Sequence, residues 1–371
     1  VEATGPSEAA PYLPSAALRL ETIGRPVRRA DLDGDDWPVT WADDDRLYAA
    51  YGDGWGCRPV DPATKRNTGL VRLAGAPPDF AGEEVAMPWF GAGAEDPNLK
   101  GCGLLALDGT LYHFLRYQVG HPAEPRDQIA SALIWSPDRG ATWEGATYAP
   151  RPDGIAFFFE EEDRAFSAPT FLQAGQDYRA APDGYVYLYA PREDRRRRND
   201  RLDLVRVPRA RVRERAACEF FAGLERGDRP RWSRRAAGRA SVFAFPGHVG
   251  CGDVVYLPGR GRYLLATCAA WPAADRLPSR LGFFDAPHPW GPWSTAGFVS
   301  AWGSGQDGDC RYDPRLPARW LAEDGATGAL TATLVFSDRT RSDVLNYQEL
   351  RFAPPGAGGA PGGAARPARA R

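Results

Sequence analysis

The chain has 371 residues, enough for one large domain or two ordinary ones, and its 43% hydrophobic content supports a sizeable core. A formal net charge of -2 argues against a general nucleic-acid or membrane-surface binder. No stretch approaches the roughly 20 apolar residues of a membrane-spanning helix.

The 12 Trp, 14 Tyr and 17 Phe accompany 41 Gly and 34 Pro. Many aromatics among many turn formers suggest an all-β protein with numerous hairpins. Aromatic rings fill a β core, and they also stack on the apolar faces of sugars. The six cysteines, at 57, 102, 218, 251, 268 and 310, are widely spaced. They include no CxxC and no Cys/His metal pattern, so a zinc site is not expected. Disulfide pairing would fit an exported protein, but an even count decides nothing.

Taken in order, residues 1–21 read as an N-terminal extension. The chain starts at Val1 rather than Met, which fits a removed leader or a fragment of a longer protein. The segment from Asp35 to Gly56, DDWPVTWADDDRLYAAYGDGWG, reads as two strands, Trp37 to Ala42 and Leu47 to Gly52, joined by the acidic turn Asp43 to Arg46. Such a hairpin puts Asp35 and Asp36 at the same edge as Asp53, and the turn aspartates at the opposite edge. Adjacent strands lie about 5 Å apart, so one rim can carry paired carboxylates.

A turn rich in Asp and Gly then recurs before a Leu-Tyr-like strand. It appears as DDRLYAAYGDG from Asp44, DGTLYHFLRY from Asp108 and DGYVYLYAPRED from Asp183. Weaker copies start at Gly259 and Asp324. Each copy follows a short apolar strand. Five such units fill residues 22–353 and predict an all-β, five-bladed β-propeller whose first strands line the channel. SPDRGATW, Ser136 to Trp143, has the Asp-box form, a structural turn in which Asp138 and Gly140 close the loop and Trp143 packs between strands. Pro208 to Leu224 carries Val212, Ala216, Phe220 and Leu224 at i, i+4 spacing and predicts one peripheral α-helix. DAPHPWGPWST, from Asp285, reads as a rigid aromatic turn. Residues 354–371 form a Gly/Ala/Pro/Arg low-complexity tail, expected to be disordered.

Hairpin logic gathers further residues at the rim that holds Asp35 and Asp53. They are Lys100 and Arg116 from the second unit and Arg192 from the third. The fourth unit contributes His248, Asp253 and Trp271, and the fifth contributes Arg311. Such a set suits a polysaccharide: carboxylates for acid/base work, Arg and His to hold hydroxyls, rings for stacking. The catalytic candidates are Asp35 and Asp53. The substrate-binding candidates are Asp36, Trp55, Arg116, Arg192, His248, Trp271 and Arg311. Buried Arg116 and Arg311 need acidic partners, and Asp35 and Asp53 are expected to supply them.

WPVTWADDDRLYAAYGDGWG, DGTLYHF, SPDRGATW, DGYVYLYAP, VPRARVRERAACEFFAG and DAPHPWGPWST occur in that order. Together they resemble an uncharacterised propeller family that includes the endo-D-arabinanases of glycoside hydrolase family 183, over about Thr22 to Phe352. The resemblance implies a five-bladed propeller and, in its characterised branch, hydrolysis of arabinan by aspartates of the first blade. Asp35 and Asp53 best match those aspartates, with Asp36 and Asp43 as the other positions open to that role. The expected protein is a secreted or cell-envelope monomer that cleaves an oligo- or polysaccharide. It needs no cofactor, and its acidic rim would permit a structural calcium. A non-catalytic glycan-binding propeller and a polysaccharide lyase are the competing readings.

Overall fold

In a computed structural model, the described residues are 10–57, 65–85, 87, 99–119, 127–145, 156–192, 200–226, 228–250, 252–268, 279–303, 311–338 and 343–354. β1 (Arg19–Ile23) and β2 (Val27–Asp35) lead into a first meander of β3 (Val39–Trp41), β4 (Leu47–Cys57), β5 (Gly69–Ala74) and β6 (Ala81–Val85). The second comprises β7 (Leu99–Leu107), β8 (Thr110–Val119), β9 (Asp127–Ser136) and β10 (Glu144–Gly145). The third comprises β11 (Thr170–Phe171), β12 (Tyr185–Pro191), β13 (Arg201–Pro208), β14 (Glu219–Leu224) and β15 (Pro230–Ser233), with β16 (Ser241–Ala244) added beside β13. The fourth holds β17 (Asp253–Leu257), β18 (Arg262–Thr267), β19 (Ser279–Ala286) and β20 (Ser294–Trp302). The last holds β21 (Arg311–Arg315), β22 (Ala322–Glu323), β23 (Leu330–Asp338) and β24 (Val344–Ala353). The strands form antiparallel ladders within sheets of ten, four, six and four strands, and the largest sheet joins the first and last meanders through β2.

The inner strands are buried on both faces, so they read as near-continuous apolar runs rather than alternating ones. GCGLLAL of β7 is buried throughout, and so is ATLVFSD of β23. Their side chains fill five apolar clusters among the described residues, each between successive meanders. Tyr48 and Leu70 meet Leu104 and Ile134. Leu105 and Phe114 meet Phe171 and Val205. Tyr187 and Leu204 meet Val254 and Phe284. Leu264 and Phe283 meet Phe336 and Phe352. Val335 and Tyr347 return to Val39 and Val71. The clusters therefore run in a closed cyclic order. The termini complete it: β1 pairs with β24 (Leu20 opposite Phe352), and β2 lies between β24 and β4.

The recurring acidic turns prove to be clamps between neighbouring meanders. Arg139 grips Asp43 through two hydrogen bonds of 3.0 Å each. Arg209 grips Asp108 at 2.9 and 2.6 Å, and Arg319 grips Asp45 at 3.0 and 2.9 Å. These pairs are solvent-accessible, so each contributes at most about 1 kcal/mol; the fork geometry chiefly sets orientation. The Asp-box turn forms as expected, with Asp138 Oδ1 accepting from Ser136 Oγ (2.8 Å) and Thr142 N (2.7 Å), and Trp143 Nε1 donating to the Gly140 carbonyl at 3.1 Å.

The α-helix expected over Pro208 to Leu224 is not present, and no α-helix occurs among the described residues. The segment forms two short 3-10 turns, Arg209–Arg211 and Arg215–Ala217, followed by strand β14. Phe220 packs into the cluster shared with the second meander, and Phe221 into the one shared with the fourth. Adjacent phenylalanines buried on opposite sides are a strand pattern, and this packing overrides the weak helical spacing. Among the described residues, no helix is long and apolar enough to cross a membrane. Cys57, Cys102 and Cys218 are free thiols; Cys251, Cys310 and the tail beyond Pro354 lie outside the described residues.

Leu345, fully buried on β24, packs into the cluster that joins the last meander to the first. Leu345→Ala is expected to cost about 2–5 kcal/mol. Urea unfolding should show a lower midpoint with an unchanged slope.

Candidate active site

β2 ends at Asp35, and the chain reverses sharply. Trp37 N donates to the Asp35 carbonyl at 2.9 Å, with Asp36 between them at φ 69° and Trp37 itself at φ 45°. A three-residue turn of this hand is strained, at about 1–3 kcal/mol for each left-handed residue. The surroundings hold it. The Trp37 indole is fully buried, donates to the Gly34 carbonyl at 2.9 Å and packs on Tyr51 with ring centroids 5.7 Å apart. The reversal sets two consecutive aspartates against neighbouring strands, Asp35 near Tyr312 of β21 and Asp36 on Arg116 of β8.

Asp35 stands opposite Gly52 in the β2–β4 register. A Cβ at Gly52 would lie 2.6 Å from Asp35 Oδ1, so only glycine leaves the carboxyl this room. Asp35 Oδ1 is buried and has no hydrogen-bond partner among the described residues, while Oδ2 lies 3.5 Å from the Tyr312 hydroxyl. Burial pushes the Asp35 carboxyl well above the usual range, and the charge of Asp36 pushes it further. Lys100 opposes that shift; Asp53 and Asp343 add to it. The shift favours the protonated form of Asp35.

Asp53, next along β4 after Gly52, has φ 46° and a side chain 38% exposed. Its carboxylate accepts from the Lys100 ammonium. Lys100 and Arg116 face each other across β7 and β8. Two cations so placed would repel. Each is met by an acid from the β2–β4 side: Lys100 by Asp53, and Arg116 by Asp36. The acidic partner of Arg116 is thus Asp36 rather than Asp35 or Asp53, because the left-handed turn swings the Asp36 side chain away from Asp35 and toward β8.

Burial by itself would raise the Asp36 carboxyl, but Arg116 and the side-chain hydrogen bond from Asp313 overcome it and hold Asp36 down at about 2. Asp313, on β21, is pushed well above the usual range by burial and by that same neighbour, which favours Asp313 as the donor in its hydrogen bond to Asp36. Arg315 Nε donates to the Asp36 carbonyl at 3.0 Å. Beyond Arg315, the buried Asp253 accepts from Leu316 N at 2.7 Å. Burial lifts Asp253 to about 6 against the pull of Arg315.

Of the residues expected at the rim, Asp35, Asp36, Asp53, Lys100 and Arg116 come together. Trp55 borders them: its backbone N donates to Asp33 Oδ1 at 3.2 Å, and Lys65 Nζ lies 5.4 Å from its ring. Arg311 faces its register partner Asp338, Nε to Oδ2 at 4.0 Å. Arg192 is turned to Asp203 of β13 at 2.9 Å. His248 packs on Phe245 and lies 3.4 Å from Arg280; burial, then the Arg280 charge, lower its pKa. Trp271 lies outside the described residues. Sequence reasoning missed Asp313 and Arg315. Their only signal is RYDPR, a five-residue strand that carries three charged residues and is buried from Tyr312 onward. No group of His, Cys, Asp and Glu able to hold a metal ion occurs among the described residues.

The folded chain holds the Asp253 proton more tightly than the unfolded chain, whose value is near 3.8. The stability from this group is fully present below about pH 4 and is lost as pH rises toward 6. Asp253→Asn keeps an acceptor for the Leu316 N–H and removes the titration. It is expected to flatten the fall in stability between pH 4 and 6 by on the order of 2–3 kcal/mol. Calorimetric melts across that range check this, and equal slopes for the two proteins would refute it.

A protein of Bacteroides ovatus ATCC 8483, provisionally described as a hydrolase, is similar in structure at 10% identity and a TM-score of 0.51, over 86% of this chain and 85% of that one. At that identity the likeness concerns the fold alone. Weaker likenesses, too low to argue from, include the GH43_1 enzyme from Xanthomonas citri (13% identity, TM-score 0.45, 88% and 90% covered) and an endo-1,5-alpha-L-arabinanase from Thermotoga petrophila RKU-1 (11%, 0.47, 88% and 72%). Among curated proteins, none matches the chain by sequence. Residues 104–314, more than half of the chain and reaching from β7 to β21, match the family described as Domain of unknown function (DUF4185), and the chain belongs to that family.

Proposed function

We propose that this chain is a glycoside hydrolase built on a five-bladed propeller, with Asp35 as general acid and Asp53 as general base. The observation that carries the reading is the asymmetry of these two carboxylates. Asp35 has one buried, unpartnered oxygen and a carboxyl pushed toward its protonated form, whereas Asp53 is ion-paired with Lys100 through a side chain 38% exposed. Glycoside hydrolysis needs one carboxyl in each state. The five apolar clusters in cyclic order, closed by β1 and β2 on β24, support the five-bladed form.

In the proposed step Asp35 gives its proton to the leaving-group oxygen as the glycosidic C–O bond breaks. Asp53 takes a proton from the water whose oxygen bonds to the anomeric carbon. Trp55, beside Asp53, is a stacking surface for a sugar ring. The sequence resemblance to the arabinanase-containing family makes arabinan the first substrate to assay.

Asp35→Asn and Asp53→Asn are each expected to lower release of reducing ends from arabinan by about 10²–10⁴-fold while the fold, checked by circular dichroism, stays intact. An ultraviolet-absorbing unsaturated product would indicate a lyase. Glycan binding with no turnover would leave a binding module. Gly52→Ala is expected to displace the Asp35 carboxyl and cost at least about tenfold in kcat; unchanged kcat would remove Asp35 from the acid role.

A further inference from the structure

One turnover of the proposed reaction leaves the two carboxyls reversed: Asp35 has given up a proton, and Asp53 has gained one. The enzyme resets only when a proton leaves Asp53 and another reaches Asp35. Asp53, with a side chain 38% exposed, can release its proton to water directly. At Asp35, Oδ1 is buried against Gly52, so Oδ2 is the oxygen left for proton exchange. The departing sugar covers the open side of that oxygen at the moment of transfer. On its other side stands the Tyr312 hydroxyl, 3.5 Å away. The same hydroxyl donates to Asp343 Oδ1 at 2.8 Å. Tyr312 is only 5% exposed, with its ring in the apolar cluster between the fourth and last meanders. Asp343 is half-buried ahead of β24, where its carbonyl accepts from Gly34 N at 3.0 Å. A buried phenol thus stands between the proposed acid and a partly exposed carboxylate. A phenol has one proton, so it donates to one of two flanking carboxyls at a time.

We propose that Tyr312 and Asp343 form a relay that returns a proton to Asp35 Oδ2 after each turnover. This rests on the acid and base roles given to Asp35 and Asp53 above. Both residues act through Asp35 and are positioning residues. As a carboxylate, Asp343 accepts the phenol proton. Once it takes a proton from water or a buffer acid it becomes the donor, and the phenol proton is free to turn to Asp35. The Asp343 O–H bond then breaks as a new Tyr312 O–H bond forms, and the old Tyr312 O–H bond breaks as the Asp35 Oδ2–H bond forms. Tyr312 ends as the phenol it began as, and Asp343 as a carboxylate. Asp53 passes to solvent the proton it took from the attacking water, so the cycle neither gains nor loses a proton. Burial holds the phenol well above its usual value, which keeps the passage from running through a phenolate. The relay requires the 3.5 Å gap to shorten when a sugar binds, as catalytic hydrogen bonds commonly do.

The test is pre-steady-state hydrolysis of an arabinan oligosaccharide in weak and in strong buffer, at one pH and ionic strength. Tyr312→Phe keeps the ring in its cluster and removes only the hydroxyl. It should complete the first turnover at the wild-type rate and then slow by about tenfold or more, leaving a burst of one product per enzyme. The slow phase should rise with the concentration of imidazole buffer, whose imidazolium ion delivers the proton instead; wild-type kcat should not. Asp343→Asn, which has no proton to give, should show the same burst and the same rescue. A first turnover slowed as much as later ones, with no response to imidazole, overturns the proposal, because a structural loss does that. Unchanged kcat of either variant in weak buffer also overturns it. The Asp343→Asn measurement stands even if Tyr312→Phe fails to fold. Absence of the burst beside an active wild type refutes the relay and leaves the hydrolase reading standing. A wild type that hydrolyses no glycan refutes that reading and the relay with it.

Discussion

The structure depends on the seam where β2 lies between β24 and β4. A cyclic arrangement of sheets must close on itself, or it leaves strand edges open to other chains. Here the closing strand pairs on one edge with β24, more than 300 residues away, Val27 opposite Tyr347, and on the other with β4, Leu32 opposite Cys57. Loop-closure entropy grows only logarithmically with such separation, so apolar contacts of the kind Leu32, Val335 and Leu345 make in the seam can offset it. The strand that closes the ring runs straight on into Asp35 and Asp36. The acidic centre is therefore complete only when the ring is.

Six carboxylates at this centre, Asp35, Asp36, Asp53, Asp253, Asp313 and Asp343, face three cations, Lys100, Arg116 and Arg315. In a low-dielectric interior such a set cannot be fully ionised. Geometry decides which groups keep their protons. Asp36 takes Arg116, and Asp53 takes Lys100. Asp35 and Asp313 are pushed toward their protonated forms. Left-handed backbone at Asp36, Trp37, Asp53 and Asp313 accompanies this division. At Asp45 and Asp108 the same conformation belongs to ordinary turns on the clamp side. Strain of the first kind is held in place by packing such as that of the Trp37 indole.

Much of the architecture was legible because it is local. The Asp/Gly turns recur because each hairpin needs one, and the Asp-box bonds lie within Ser136 to Trp143. The acidic hairpin put Asp35, Asp36 and Asp53 at one edge, and they are there. The segment after Pro208 misled because apolar residues four apart fit a helix, while the real constraint, Phe220 and Phe221 filling two different inter-sheet clusters, involves residues far away in the chain. Asp313 and Arg315 escaped notice for the same reason: nothing near RYDPR signals that Asp36 will be its neighbour.

The sequence by itself determined the all-β character, the repeating strand pairs, the turns and the edge on which the first aspartates stand, since each follows from side-chain periodicity and turn chemistry over a few residues. Only the tertiary structure decided which acid meets which base. Asp35 and Asp36 are identical in type and adjacent, and no local rule separates them. One is turned beside Gly52 and pushed toward its protonated form; the other is swung onto Arg116 and held toward its ionised form. The difference is made by residues that closure of the ring brings together, and electrostatics in a dry interior is set by those distances rather than by order along the chain.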